Sequence, residues 1–164
     1  MKIQGKVWKY GDNIDTDVIY PSKHLVHFEP EEVAKHAMEG IDEEFYSKIS
    51  KGDLVVAGRN FGCGSAREQA ATALKYAGIG TVLAESFNRA FFRNAINNAL
   101  PAMEVPGISQ SINEGDQLEV DLVNGKVINH TQNKELKGNA LSDFIMDIIN
   151  AGGAINYYRK KVSG

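Results

Sequence analysis

The sequence has a single cysteine, Cys63, and only four prolines among its 164 residues. One cysteine excludes an internal disulfide, and one thiolate cannot by itself hold an iron–sulfur cluster or a structural zinc ion. No segment approaches the roughly 18 consecutive apolar residues of a membrane-spanning helix, and the opening MKIQGKVWKYG has no apolar core of signal-peptide length. We therefore expect a cytoplasmic protein that does not contact a membrane.

An excess of charge of either sign is also absent. The net charge is -3, with 24% charged and 43% hydrophobic residues. This composition is typical of a globular protein, and it is not basic enough to indicate nucleic-acid binding. A chain of this length buries roughly 70% of its unfolded surface on folding. We therefore expect residues 1–164 to form a single domain.

The central part of the chain has the periodicity of an α/β fold. Strand and helix patterns alternate there, in this order: a strand in KGDLVVAG, a helix over residues 66–77, a strand in GTVLAES, a helix from about Asn88 to Asn98 and a short strand near PAMEV. Alternation of this kind predicts a parallel sheet with right-handed crossovers. The opening KIQGKVWKYG predicts one further strand.

The pattern changes after Pro106. DQLEVDLVNGKVINH alternates around Asn124-Gly125, which predicts a hairpin with a type I′ turn. NALSDFIMDIINAGG predicts a helix capped by Asn139 or Ser142 and ended by Gly152-Gly153. The predicted fold is a compact α/β domain with a mixed parallel and antiparallel sheet, an added β layer and flanking helices.

Potentially reactive side chains are concentrated in NFGCGSAREQ, residues 60–69. Ser65 and the glutamate three residues later form a capping-box pattern, which predicts that Ser65 caps a helix. The flanking glycines allow a ligand to approach backbone N–H groups, and a helix N-terminus favours a carboxylate or a developing oxyanion. Arg67 is a cation in the first predicted turn, where the helix dipole favours an acid. Its position therefore predicts a partner, most simply a carboxylate bound by both arms of the guanidinium.

Nucleotide binding is the alternative for the same stretch. A P-loop needs a lysine before Ser65, and none is present. Gly62-Cys63-Gly64 followed by Glu85 about 20 residues later fits a dinucleotide fingerprint better. However, the third glycine position is occupied by Arg67, whose long side chain would obstruct close helix–strand packing. A stand-alone nucleotide-binding module stays open as a distant alternative.

Metal-binding patterns are weaker. DNIDTDVIYP resembles a calcium loop, but Ile19 and Tyr20 occupy positions where an EF-hand needs an oxygen ligand and a glycine. His24 and His27 form an H-x-x-H pattern without a third ligand or a nearby glutamate in the sequence, and His36 and His130 stand alone. We therefore predict no metal bound by this chain.

Three segments together resemble a known family. They are DNIDTDVIYPSKHL, VVAGRNFGCGSAREQAATALKYAGIGTVLAESFNRAFFRNAINNALP and the trailing helix. They are similar to the small subunits of isopropylmalate dehydratases, which correspond to the swivelling fourth domain of the aconitase superfamily. The similarity runs nearly end to end, and the G-x-G-S-x-R-E block and the D-T-D-x-I segment are specific to that superfamily.

The resemblance implies a hydro-lyase subunit that is active only with a large subunit. The implied reaction isomerises 2-isopropylmalate to 3-isopropylmalate by dehydration and rehydration, a step of leucine biosynthesis. The family's [4Fe–4S] cluster acts as a Lewis acid and is held by three cysteines of the large subunit, which agrees with the lone cysteine here. The substrate is a small hydroxy-dicarboxylic acid, and homo-oligomerisation of the isolated chain stays open.

The resemblance also assigns residue roles. The catalytic serine, an alkoxide that abstracts the carbon-bound proton, falls on Ser65, and the arginine that binds a substrate carboxylate falls on Arg67. Gly64 belongs to the same substrate-binding loop, and Thr16 and Asp17 match the segment that lines the cleft. A regulatory subunit without a catalytic atom is the remaining alternative for this chain.

Substrate choice in the family depends on a loop that matches KHLVHF here. Its residues are Lys23, His24, Leu25, Val26 and His27. Related loops that accept a tricarboxylic acid place an arginine at the position of Val26, so an apolar Leu25-Val26 surface favours isopropylmalate. Lys23, His24 and His27 lie close enough to pair with a further carboxylate. A homoaconitate hydratase or a dual-substrate subunit therefore stays open.

Overall fold

A computed structural model of the chain describes residues 1–163. Seven strands in this range form one sheet: β1 (Lys2–Lys9), β2 (Leu54–Ala57), β3 (Thr81–Ala84), β4 (Ala102–Glu104), β5 (Gln117–Asp121), β6 (Lys126–Asn129) and β7 (Lys134–Lys137). Their order in the sheet is β4-β3-β2-β1-β5-β6-β7. β1 to β4 run parallel, and β5 to β7 continue the sheet in antiparallel fashion. The predicted mixed sheet is confirmed.

β1 joins the two parts of the sheet. Its first five residues, Lys2 to Lys6, pair with β5, whereas Val7 to Lys9 pair with β2. The strands β5 to β7 are therefore a continuation of the same sheet through β1.

Helices cover the sheet and fill the connections. Within residues 1–163 they are α1 (Thr16–Ile19), α2 (Pro30–Ala34), α3 (Phe45–Lys48), α4 (Glu68–Ala77), α5 (Arg89–Asn97), α6 (Ile108–Ser111), α7 (Asp143–Asn150) and α8 (Ala154–Ser163), with a 3-10 turn at Ser22–His24. No helix in this range combines the length and apolarity that a bilayer crossing requires.

The core lies on both faces of the parallel strands. Val55 and Ala57 of β2 pack in one apolar cluster, and Leu54 and Val56 pack in a second cluster on the opposite face. This alternation follows from the period of two along a strand. It explains why the uninterrupted apolar run of β2 is fully buried.

Two local predictions need correction. The helix predicted over residues 66–77 begins at Glu68, because Arg67 has an extended backbone and occupies the cap position. Asp121 pairs with Lys126, so the hairpin loop has four residues, and Gly125 alone among them has a positive φ. A type I′ turn is therefore wrong, since it needs two consecutive residues with positive φ.

The short helices α1, α2, α3 and α6 were not predicted, and neither were β7 and α8. β7 is polar and largely exposed, so its sequence KELK lacks a period-two apolar signal. α8 begins directly after the Gly152-Gly153 break that ends α7, and none of its described residues is buried. The predicted cap of α7 is confirmed for Ser142, whose side chain accepts a hydrogen bond from the Ile145 N–H.

Candidate active site

Two loops meet at the carboxyl edge of the parallel strands. Because β1 and β2 are parallel neighbours, the segments that follow them, residues 10–21 and 58–67, leave the sheet at the same edge. A parallel bridge between Asp15 and Cys63 joins the loops, with the Thr16 N–H donating to the Cys63 carbonyl at 2.9 Å. The contact brings DNIDTDVIYP and NFGCGSAREQ into one site.

Ser65 lies in the turn before α4, and it is exposed. The predicted capping box is wrong, because Arg67 occupies the cap position and no side chain caps the helix. Within residues 1–163 the Ser65 hydroxyl has no hydrogen-bond partner, whereas its backbone carbonyl accepts from the Thr16 hydroxyl at 2.7 Å. The fold therefore holds the Ser65 backbone and leaves the side chain free for a ligand.

Glycine is required in this turn for two separate reasons. Gly62 and Gly64 have φ values of +82° and +87°, and residues with a Cβ rarely adopt this backbone conformation. A Cβ at Gly62 would overlap the ring of Phe91, and a Cβ at Gly64 would overlap the Asp15 carboxylate. The turn can therefore approach α5 and the neighbouring loop only with glycine at these positions.

Arg67 is held by one arm of its guanidinium. Its Nη1 donates to Asp17 Oδ1 at 3.0 Å and to the Tyr20 carbonyl at 2.9 Å. Within residues 1–163 the other guanidinium nitrogens have no hydrogen-bond partner, and the side chain is 14% exposed. The Arg67 hydrogen bond and the Ser22 N–H hold the pKa of the Asp17 carboxyl below its usual range, so this carboxylate stays ionised opposite the cation.

Thr16 and Asp17 occupy different environments although they are adjacent. Thr16 is 1% exposed, and its hydroxyl donates to the Ser65 carbonyl, so this buried residue holds the turn in place. The Asp17 side chain is 59% exposed and pairs with Arg67. Cys63 is a free, partly exposed thiol in the same turn.

The predicted specificity loop borders this site. Tyr20 connects the two, because its carbonyl accepts from Arg67 and its hydroxyl donates to the His24 carbonyl at 2.6 Å. Val26 is 74% exposed, whereas Leu25 packs partly against the core. Of the two apolar residues, Val26 therefore has the larger surface available to a ligand.

The histidines are arranged in a way that the sequence did not predict. His36, predicted to stand alone, has its ring centroid 3.5 Å from that of His24. Glu39, which was not singled out in the sequence, accepts hydrogen bonds from both rings. No local spacing signals this cluster, because residues 28–35 separate its two halves.

Glu85 is the acid of the dinucleotide alternative. Its carboxylate accepts hydrogen bonds from the N–H groups of Gly107 and Ser109, so it is already used within the fold.

Comparison with known proteins shows the family of this chain. Residues 4–107 match the aconitase C-terminal domain family. The chain is 52% identical over 161 residues to the isopropylmalate/citramalate isomerase small subunit of Methanocaldococcus jannaschii, covering 98% of this chain and 96% of the relative. It is 49% identical over 163 residues to the 3-isopropylmalate dehydratase small subunit of Thermodesulfovibrio yellowstonii, covering 99% and 97%.

A solved structure supports the same relationship. The crystal structure of a 3-isopropylmalate dehydratase from Methanocaldococcus jannaschii superimposes with a TM-score of 0.93 at 44% identity, covering 98% of this chain and 95% of that chain. Similarity of this extent spans the sheet, both site loops and the histidine-containing segment. The chain therefore belongs to the aconitase C-terminal domain family.

Proposed function

We propose that this chain is the small subunit of a hydro-lyase that isomerises 2-isopropylmalate to 3-isopropylmalate, and that it supplies the acid–base half of a shared active site. The supporting observation is the exposed Ser65 hydroxyl, which lies two residues before a guanidinium anchored through one arm only. The full-length similarity to small subunits with that name supports the same reaction.

Ser65 acts as the base that removes a proton from carbon. As the alkoxide, its oxygen takes the proton from the carbon next to a carboxylate, and the electron pair forms the double bond as hydroxide leaves the neighbouring carbon. A free serine hydroxyl is far too weak a base, so the alkoxide needs nearby positive charge and N–H donors. Arg67 and the N-terminus of α4 follow within three residues in the chain and are the candidates for these two roles once substrate is bound.

Arg67 binds a substrate carboxylate with the nitrogens that Asp17 leaves free. Asp17 and the Tyr20 carbonyl hold Nη1 and so fix the plane of the guanidinium. A planar group fixed in this way can meet a carboxylate with two parallel hydrogen bonds. Thr16 and Gly64 position the turn: Thr16 holds the Ser65 carbonyl, and Gly64 lets the Asp15 carboxylate pack against the turn.

The family's [4Fe–4S] cluster does not fit this chain, because Cys63 is its only thiol. We therefore propose that the cluster lies on a large subunit, where it would act as a Lewis acid on the substrate. The site at the carboxyl edge is accordingly incomplete without that partner.

The proposal is tested by mixing the two subunits. The purified chain is expected to fold, to contain no iron and to show no dehydratase activity until it is combined with an iron-loaded large subunit. The measurements are the iron content and the rate of interconversion of the two isopropylmalates, alone and mixed. Activity of the small chain alone would contradict a shared site, and micromolar binding of NAD or ATP would favour the nucleotide-binding alternative.

Substrate choice is proposed to depend on Val26. Isopropylmalate ends in a branched apolar group, whereas homoaconitate has a third carboxylate, and burying an unpaired carboxylate costs several kcal/mol. The exposed Val26 side chain offers an apolar contact, which favours isopropylmalate over homoaconitate.

Val26→Arg in the assembled enzyme is expected to shift the ratio of kcat/KM toward homoaconitate by about 10-fold or more, because the new cation would pair with the third carboxylate. Val26 is exposed, so the folding stability should change by less than about 0.5 kcal/mol. Val123→Arg, at a 47% exposed position in the β5–β6 loop, is the matched control. An unchanged ratio for Val26→Arg would show that this loop does not distinguish the two acids.

A further inference from the structure

A groove with a volume of about 400 Å³ lies between α5, β4 and α7. Its walls are mainly apolar: Phe87, Phe92 and Ile96 come from α5 and the loop before it, and Phe144 and Ile148 come from α7. Phe144 is 53% exposed. Aromatic residues are enriched at protein–protein interfaces, and pockets that they line hold the anchor residues of a partner. The groove therefore has the shape and composition of a docking surface.

Two arginines of α5 line the same groove and have no partner within the described chain. Arg89 and Arg93 are exposed, and within residues 1–163 neither side chain forms a hydrogen bond or an ion pair. They are four residues apart on one helix, so their like charges repel each other, and Arg89 lies in the first turn, where the helix dipole disfavours a cation. Both effects destabilise the isolated helix slightly, and α5 contains no acid that would offset them. Carboxylates of a partner would relieve both.

A carboxylate lines the groove as well. Glu104 of β4 is half-buried, and its side chain has no hydrogen-bond or ion-pair partner in the part of the chain that the structure describes. In particular, it forms no ion pair with Arg89 or Arg93. The groove thus presents separate charges of both signs beside an apolar wall. Such a pattern favours one orientation of a complementary partner.

The groove continues from the edge of the sheet that carries Ser65. Phe87, in the groove, forms a parallel bridge with Phe61, which immediately precedes the glycine turn. The Phe91 ring of α5 packs against that turn at Gly62. A stable protein complex buries about 800 Å² on each partner, so a partner that covers the Ser65 turn must extend onto neighbouring surface. The N-terminal part of α5 belongs to that surface.

We propose that this groove docks the large subunit, which presents an apolar side chain to the aromatic wall and acidic side chains to Arg89 and Arg93. The names of the small-subunit relatives imply such a partner. The inference rests on the proposed function, because it names the surface through which the partner reaches the same shared site. A second copy of this chain fits less well, since it would bring its own unpaired arginines to the groove.

The test is the affinity of Arg93→Glu and Phe144→Ala for an iron-loaded large subunit, measured by titrating the activity of the assembled enzyme. Each variant is expected to weaken assembly by about 10-fold or more, because the first reverses a charge that faces an acid and the second removes an aromatic anchor. At saturating large subunit kcat should equal that of the wild type. Added salt should weaken wild-type assembly and should not weaken assembly of Arg93→Glu, in which an attraction has become a repulsion.

Matched variants separate docking from general effects of substitution. Arg159→Glu reverses an exposed charge on α8, and Tyr76→Ala removes a 55% exposed aromatic ring from α4. Both should assemble as the wild type does. The Tm of each variant reports on folding. Arg93 has no hydrogen bond or ion pair in the described range, so Arg93→Glu tests the groove even where Phe144→Ala lowers the Tm.

Four outcomes would overturn the proposal. Wild-type affinity in Arg93→Glu or in folded Phe144→Ala would remove the docking surface and leave the proposed function intact, since the enzyme still assembles. A wild-type chain that does not bind the large subunit would overturn both. An equal loss of affinity in Arg159→Glu or Tyr76→Ala would show that the effect is not specific to the groove. Self-association of the isolated chain that Phe144→Ala abolishes, seen by sedimentation, would assign the groove to a second copy.

Discussion

Ser65→Ala in the assembled two-subunit enzyme is expected to lower kcat by about 10² to 10⁴, the range for loss of a positioned acid–base group. The substitution should leave the fold intact. The Ser65 side chain is exposed and has no hydrogen-bond partner within residues 1–163, so the free energy of unfolding should change by less than about 0.5 kcal/mol. A steady-state rate and a denaturant titration measure the two quantities.

A second serine provides the control. Ser142 is a true helix cap, with its Oγ accepting from the Ile145 N–H at 3.3 Å. Ser142→Ala should therefore cost about 1 kcal/mol of stability and leave turnover unchanged. If Ser65→Ala keeps near-full turnover, the chain is a regulatory subunit without a catalytic atom. If instead it loses stability as Ser142→Ala does, Ser65 has a structural role that its contacts do not show.

Arg67→Lys is expected to lower kcat/KM by about 10- to 150-fold, although the net charge is unchanged. A hydrogen bond to a charged group contributes about 1.5 to 3 kcal/mol, and lysine cannot form the two parallel bonds of a guanidinium. Lysine also has one nitrogen in place of three, so it cannot contact Asp17, the Tyr20 carbonyl and a substrate carboxylate in the same geometry. Most of the loss should lie in KM, because the carboxylate is bound before the proton is removed.

The pKa of Asp17 provides an independent test of the contact between Arg67 and Asp17. Arg67 is the main cause of the lowered pKa, so Arg67→Gln should raise the pKa of Asp17 toward its ordinary value of about 3.9. Arg159→Lys on α8 is the matched control for the lysine variant, since Arg159 is exposed and lies outside the site loops. An Arg67→Lys enzyme with unchanged kcat/KM would contradict the carboxylate-binding role.

Elements with strong apolar patterns were predictable, and elements without them were not. β2 is a continuous apolar run and β3 is apolar after Thr81, both lie between turn residues, and both were predicted correctly. β7 is stabilised by its hairpin pairing with β6, and its own residues carry no apolar period that would have indicated a strand. The start of α4 was misplaced by two residues because the capping-box pattern at Ser65 is local, whereas Thr16 holds the Ser65 carbonyl from a distant loop.

The sequence by itself determined the fold class and the chemistry available: a parallel α/β core, a glycine turn with Ser65 and Arg67, and too few thiols for a cluster. Those conclusions depend on residue type and on short spacings. Only the tertiary structure decided which groups meet. The parallel pairing of β1 with β2 brings Asp17 to Arg67, and the chain path around α2 brings His36 and Glu39 to His24. Such contacts join residues far apart in the chain, and no local pattern records them.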